Sequence, residues 1–163
     1  MIQRKQSLYF LGVFIISLIL IWVNPTFYSA NGKTTGNTPK SGLVEVGYST
    51  TQMTENGSMT EAANTLMSST ILIMAFTALV CIFFFKNRKW QMILASINFL
   101  FLFALLYIMY SYSFKIDYFV AGTGETKLTP WSLLPLSILL FNFLGYRGVL
   151  SDEKLIRSVD RLR

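Results

Sequence analysis

Four stretches of the chain, residues 7–23, 66–85, 90–112 and 128–146, contain no charged side chain and are dominated by Leu, Ile, Phe, Val and Met. A helix rises about 1.5 Å per residue and the hydrocarbon core of a bilayer is about 30 Å thick, so about 20 uncharged residues make one crossing. The pattern therefore predicts four spanning helices. Between them lie polar segments at 24–65 and 113–127, a short basic turn at 86–89, and a tail at 147–163. With 163 residues in all, no length remains for a separate soluble domain, and residues 1–163 read as a single membrane domain. The expected fold class is an all-α membrane protein. Its expected form is a four-transmembrane-helix bundle, with room for a small extracytoplasmic β element and a short cytoplasmic C-terminal amphipathic helix.

The β element is expected from two pieces. Residues 24–42 are rich in Asn, Gly, Thr, Ser and Pro and read as turn-rich, whereas 43–48 (LVEVGY) has β-like composition. Residues 116–120 (IDYFV) offer a second β-like run to pair with it. The tail helix is expected to begin at Ser151 as N-cap, with Asp152 and Glu153 at the positive end of its dipole. Leu155, Ile156, Val159 and Leu162 then form an apolar stripe suited to a membrane surface.

Hydrophobic residues are 53% of the chain and charged residues 13%, about half the charged share of a soluble domain. The pI near 9.6 raises nucleic acid as a partner, but the basic residues sit at the ends of the apolar runs and no nucleic-acid module is present. Sorted by segment, ten of the 14 Lys and Arg fall on one side: Arg4, Lys5, Lys86, Arg88, Lys89, Arg147, Lys154, Arg157, Arg161 and Arg163. Only Lys33, Lys40, Lys115 and Lys127 fall on the other. The positive-inside rule then puts both termini on the cytoplasmic side, with the ten basic residues available to anionic lipid headgroups. Trp22, Trp90 and Trp131 fall at the expected interfaces. Bulky Phe27 and Tyr28 spoil any cleavage site after the first run, which reads as an uncleaved span.

Candidate chemistry is sparse. There is no histidine and one cysteine, Cys81, so no metal site, cofactor or catalytic residue is expected. The spans hold no ionisable group of the kind that marks proton relays and ion paths. A membrane enzyme would need acids such as Asp117 or Asp152 at an interface, and the sequence gives that reading little support. Uncharged polarity remains: Ser96, Asn98 and Asn142 are expected to hydrogen-bond between helices, so that Asn98→Leu should weaken folding. Pro135 is expected to kink the last helix and free a carbonyl that Trp131 or a neighbour must satisfy.

The chain ends carry a family likeness. Met1-Ile2-Gln3-Arg4 with Gln6 opens the sequence, and Asp152-Glu153, Leu155, Arg157-Ser158 and Asp160-Arg161-Leu162-Arg163 close it. These residues resemble a family of small four-span inner-membrane proteins of Bacteroidetes bacteria, catalogued as a domain of unknown function. The resemblance implies an address but no activity, cofactor or site residue, and it suggests Arg4 pairing with Asp160 or Asp152. The expectation is a non-enzymatic protein of the inner membrane, an accessory or scaffold subunit of an envelope complex whose partners are the bilayer and another membrane or envelope protein. The alternative is a binder or carrier of a lipid or apolar small molecule.

Overall fold

The computed structural model describes residues 5–34, 40–55, 58–84, 87–119 and 125–160. Helix α1 (Lys5–Trp22) is followed by strands β1 (Thr26–Thr34), β2 (Lys40–Gly47), β3 (Thr50–Glu55) and β4 (Ser58–Ala63). Helices α2 (Thr65–Phe83) and α3 (Arg88–Phe119), strand β5 (Glu125–Leu128), a 3-10 turn (Pro130–Leu133) and helix α4 (Leu134–Asp160) complete the order. The strands form one antiparallel sheet in the order β4-β3-β2-β1-β5.

This sheet overturns the all-α expectation: the fold is α+β, not a four-transmembrane-helix bundle. Among the described residues, three helical segments are long and apolar enough to cross a membrane, Thr65–Phe83, Arg88–Ser113 and Pro130–Leu155, while Gln6–Trp22 is a shorter apolar helix. The strands were hidden by local composition. Asn31, Gly32 and Lys33 are poor strand formers, yet all three pair with β2 and Asn31 also with β5, and pairing outweighs propensity. Residues 116–119 read as β but extend α3, because no Gly or Pro interrupts the chain from Arg88 to Phe119 and an established helix propagates cheaply. The tail is not a separate helix either. Residue Ser151 lies inside α4, which runs unbroken through Gly145 and Gly148.

Side chains alternate across the pleat, so each row of paired residues has one character. One row, Leu128, Tyr28, Val46, Thr51 and Ala62, turns toward the helices, with Tyr28, Val46 and Thr51 buried. The next row, Lys127, Ser29, Glu45, Gln52 and Glu61, is polar and faces away. A register shift between Thr26 and Tyr28 lets Phe27 turn inward as well. The sheet lies at one end of the helices, where α1 leaves and where α2 and α4 begin.

Helix α1 packs against α2 and α4, and α3 packs against the same two. The main core joins sheet to helices: Phe27, Tyr28, Val46 and Tyr48 meet Leu20, Met67, Ile71, Leu105 and Ile138. A smaller core of Phe10, Cys81, Ala95 and Val149 lies toward the far end. Between α1 and α4, ring and glycine interlock twice. A Cβ on Gly145 would stand 2.9 Å from the Phe10 ring, and one on Gly12 would stand 3.3 Å from the Phe141 ring. Close approach of this kind lets two helices associate where lipid supplies no hydrophobic drive.

Gly145→Val should therefore lower stability by about 1–3 kcal/mol through overpacking against Phe10. Gly42→Ala, whose new Cβ would meet only the Thr54 carbonyl oxygen at 3.7 Å, should change it little. Thermal unfolding of both variants in the same detergent checks the contrast, and equal losses would refute it.

Candidate functional site

The most constrained part of the molecule is the turn from β2 to β3, residues 47–50. Two asparagines, one at each end of the strand segment, hold it. Asn24 follows α1 with φ of 46°, a left-handed conformation that asparagine tolerates better than most residues. Its Oδ1 accepts the Ser49 N–H at 2.7 Å and the Thr50 N–H at 3.4 Å, and its Nδ2 donates to Thr50 Oγ1 at 2.8 Å. Gly47 makes this possible, because a Cβ there would lie 2.4 Å from Asn24 Oδ1.

Asn64 grips the same turn from the start of α2. Its Nδ2 donates to the Gly47 carbonyl at 2.8 Å, its Oδ1 accepts the Thr51 hydroxyl at 2.9 Å, and its backbone N–H donates to the Ser49 carbonyl at 2.8 Å. Asparagine at a helix N-cap ordinarily turns its side chain onto the first free N–H groups of the helix. Here Asn64 makes no such side-chain bond, and its buried amide serves the turn instead.

The turn in turn supports α4. Pro135 is the second residue of that helix, at the change from 3-10 turn to α-helix, and not a kink within it. Proline has no N–H, so the carbonyl four residues earlier, that of Trp131, lacks its α-helical donor. The Leu134 N–H reaches it in the 3-10 manner, and the Tyr48 hydroxyl donates to it at 2.8 Å. Tyr48 is completely buried, its ring tilted against Phe27 with centroids 5.0 Å apart. Burial pushes its pKa upward, further from the pH range in which the hydroxyl would lose its proton. Thr129 adds a second tie, its N–H donating to the Phe27 carbonyl at 3.1 Å and its hydroxyl to the Thr26 carbonyl.

At the opposite end the residues expected to bond between helices separate. Asn142 Nδ2 donates to the Ala95 carbonyl at 3.1 Å, joining α4 to α3. Ser96 is exposed and donates to the Met92 carbonyl of its own helix at 3.0 Å. Asn98 is buried, and neither amide atom has a hydrogen-bond partner among the described residues. Two buried glutamines, Gln6 and Gln91, join them in the interior. Gln91 donates to the Cys81 carbonyl at 3.0 Å, linking α3 to α2. Sequence reasoning passed over Asn24, Gly47, Asn64 and Gln91. Their signal was weak, an amide residue or a glycine at the border of an apolar run or strand.

Of the ten basic residues, Lys89, Arg147 and Lys154 are exposed, and Arg88 donates to the Asp152 carbonyl at 3.3 Å, bridging α3 and α4. Lys5 and Arg157 stand on α1 and α4. Arg4, Lys86, Arg161 and Arg163 lie outside the described residues, and with Arg4 the expected pairing to Asp160 or Asp152. Between α3 and α4 runs an open groove of about 890 Å³. Lys89, Glu153 and Lys154 stand at one end of it, and Met92, Ile93, Ile97 and Leu100 continue along α3. Among the described residues no three His, Cys, Asp or Glu side chains gather into a metal-binding group.

A sheet of alternating character fixed to apolar helices of membrane-crossing length defines a membrane protein with an ordered polar platform. The chain belongs to the family described as Domain of unknown function (DUF4293), whose profile matches residues 2–162. No curated protein matches it at a significant level.

Two results test this geometry. Tyr48→Phe should cost about 0.5–1.5 kcal/mol. That cost should shrink when Pro135→Ala returns an N–H to the Trp131 carbonyl, so the double-mutant cycle measured by denaturation should show coupling; strict additivity would break the link. In the helices, Asn142→Leu should destabilise, whereas Asn98→Leu should be neutral or stabilising, because replacing an unpaired buried amide by an apolar group removes a desolvation cost. A large loss for Asn98→Leu in detergent melts would contradict that assignment.

Proposed function

We propose that the chain is a non-enzymatic integral protein of a Bacteroidetes inner membrane, serving as an accessory or scaffold subunit of an envelope complex. In this reading the sheet is its extracytoplasmic docking platform. The observation that carries the reading is β4. It ends the sheet, all six of its residues are exposed, and Met59 on it is 80% exposed. An edge strand of this kind is a template for a partner strand, with main-chain bonds giving affinity and alternate side chains giving selectivity. The asparagine clamp fits the role, since a docking edge is useful only if its support is rigid.

Charge supports the orientation. The sheet end carries Lys33, Lys40 and Lys127, while the far end carries Arg88, Lys89, Arg147, Lys154 and Arg157, which favours a cytoplasmic far end and cytoplasmic termini. In this arrangement α1, short as it is, shares the hydrocarbon layer with α4, against which it packs. A carrier of lipid or of an apolar small molecule would call for an enclosed chamber, whereas the groove between α3 and α4 is open. The scaffold reading is therefore preferred.

A photo-crosslinking amino acid at Met59, activated in native membranes, should join the chain to one distinct envelope protein in good yield. The same probe at Leu140, on the exposed face of α4, should not capture that protein. Absence of any protein adduct at Met59, with the chain folded and inserted, would overturn the platform role.

A further inference from the structure

We infer that the groove between α3 and α4 is a selective site for one anionic phospholipid of the leaflet opposite the sheet. Three features converge on that occupant. First, among the described residues the charge at one end of the groove is positive on balance: Lys89 and Lys154 are cationic, and Glu153 is the one carboxylate lining it. Two lysines against one glutamate leave a net charge of +1 to meet a phosphodiester. Second, polarity changes in one direction along the groove. Beyond Lys89 the described α3 side chains lining it are Met92, Ile93, Ser96, Ile97 and Leu100, apolar except for Ser96. A second helix would be expected to find glycine, alanine or serine at regular spacing for close approach, and along this wall only Ser96 qualifies. Flexible, bulky aliphatic walls suit an acyl chain.

Third, the length matches. Lys89 and Leu100 are 11 residues apart (100 − 89), about 16 Å of helix at 1.5 Å per residue. That is about half the 30 Å hydrocarbon core, the depth of a single leaflet. A cationic mouth above an apolar channel one leaflet deep has the form of a phospholipid. The ends of the groove are also held in position. Arg88 ties the start of α3 to the Asp152 carbonyl of α4, so the two lysines stand on helices fixed to one another. The bound lipid is a structural ligand, distinct from cargo, and it would set the spacing of α3 and α4 independently of anything docked on the sheet.

The test uses the full chain purified in neutral detergent and exposed to phosphatidylglycerol or phosphatidylethanolamine with identical acyl chains. Native mass spectrometry counts the lipids retained. The wild-type chain should keep one phosphatidylglycerol in preference to phosphatidylethanolamine. Each of Lys89→Gln and Lys154→Gln should reduce that preference about fivefold, the contribution typical of one interfacial basic residue. Ser96→Trp, which fills the apolar channel from an exposed position, should reduce retention of both lipids. Arg147→Gln removes a charge at the same end but off the groove and should leave retention unchanged. Equal retention of the two lipids by the wild-type chain would overturn the proposal. So would a loss for Arg147→Gln as large as for Lys89→Gln, which would mean a general basic surface. A protein adduct from a crosslinker at Ile97 would assign the groove to a partner helix and would equally refute it.

Discussion

The structure depends on a four-residue turn held from both sides by amide side chains. Asn24 and Asn64 are separated by the first four strands, yet both bond to residues 47–50, so the exits of α1 and the entry of α2 are fixed to the same point. Tyr48 then carries the connection through the core to the Trp131 carbonyl at the head of α4. Three of the four helices thus take their position from one turn. The physical reason is the demand that buried backbone groups find partners. A turn pressed into a core exposes N–H and C=O groups that no strand can satisfy, and two asparagines meet that demand with donor and acceptor on one side chain.

The two ends of the molecule differ in how well polarity is satisfied. At the sheet end nearly every amide and hydroxyl described above has a partner within about 3 Å, as buried hydrogen bonding requires. At the far end, atoms of Gln6, Gln91, Asn98 and Asn142 remain unpartnered among the described residues, in a smaller core of four buried residues. Unpaired buried amides weaken local packing, so the sheet end is the rigid half and the far end the more adaptable one. That division suits a protein whose ordered platform faces one compartment while its other half meets lipid.

What the sequence disclosed follows from range. The apolar runs were legible because bilayer thickness acts on each segment separately, and Thr65–Phe83, Arg88–Ser113 and Pro130–Leu155 fall on three of the expected stretches. The sheet was not, because β1 gains its stability from neighbours far along the chain: Ser29 pairs with Glu45 and Lys127. Residues 43–48 were recognised as β-like, but their alternation is visible only once Val44 and Val46 are seen to turn inward while Leu43 and Glu45 turn away. For Pro135 the sequence disclosed half of the matter. It announced a freed carbonyl and named Trp131 or a neighbour as its donor; the carbonyl is Trp131's own, and besides the Leu134 N–H it is met by Tyr48, 83 residues earlier. The clamp residues were illegible for the same reason. Asn24 and Asn64 look like ordinary turn and cap residues until the turn between them is in place.

The clamped turn belongs to the rigid core and is not a surface loop. Hydrogen exchange of the reconstituted protein in lipid nanodiscs, read at single backbone amides, tests it most directly. The Ser49 and Asn64 amides should exchange as slowly as those in the middle of α2, and Asn24→Ala should release Ser49 while leaving α2 protected. If Ser49 and Asn64 in the unaltered protein exchanged as fast as the exposed edge β4, the turn would not be holding the helices and the account would fail.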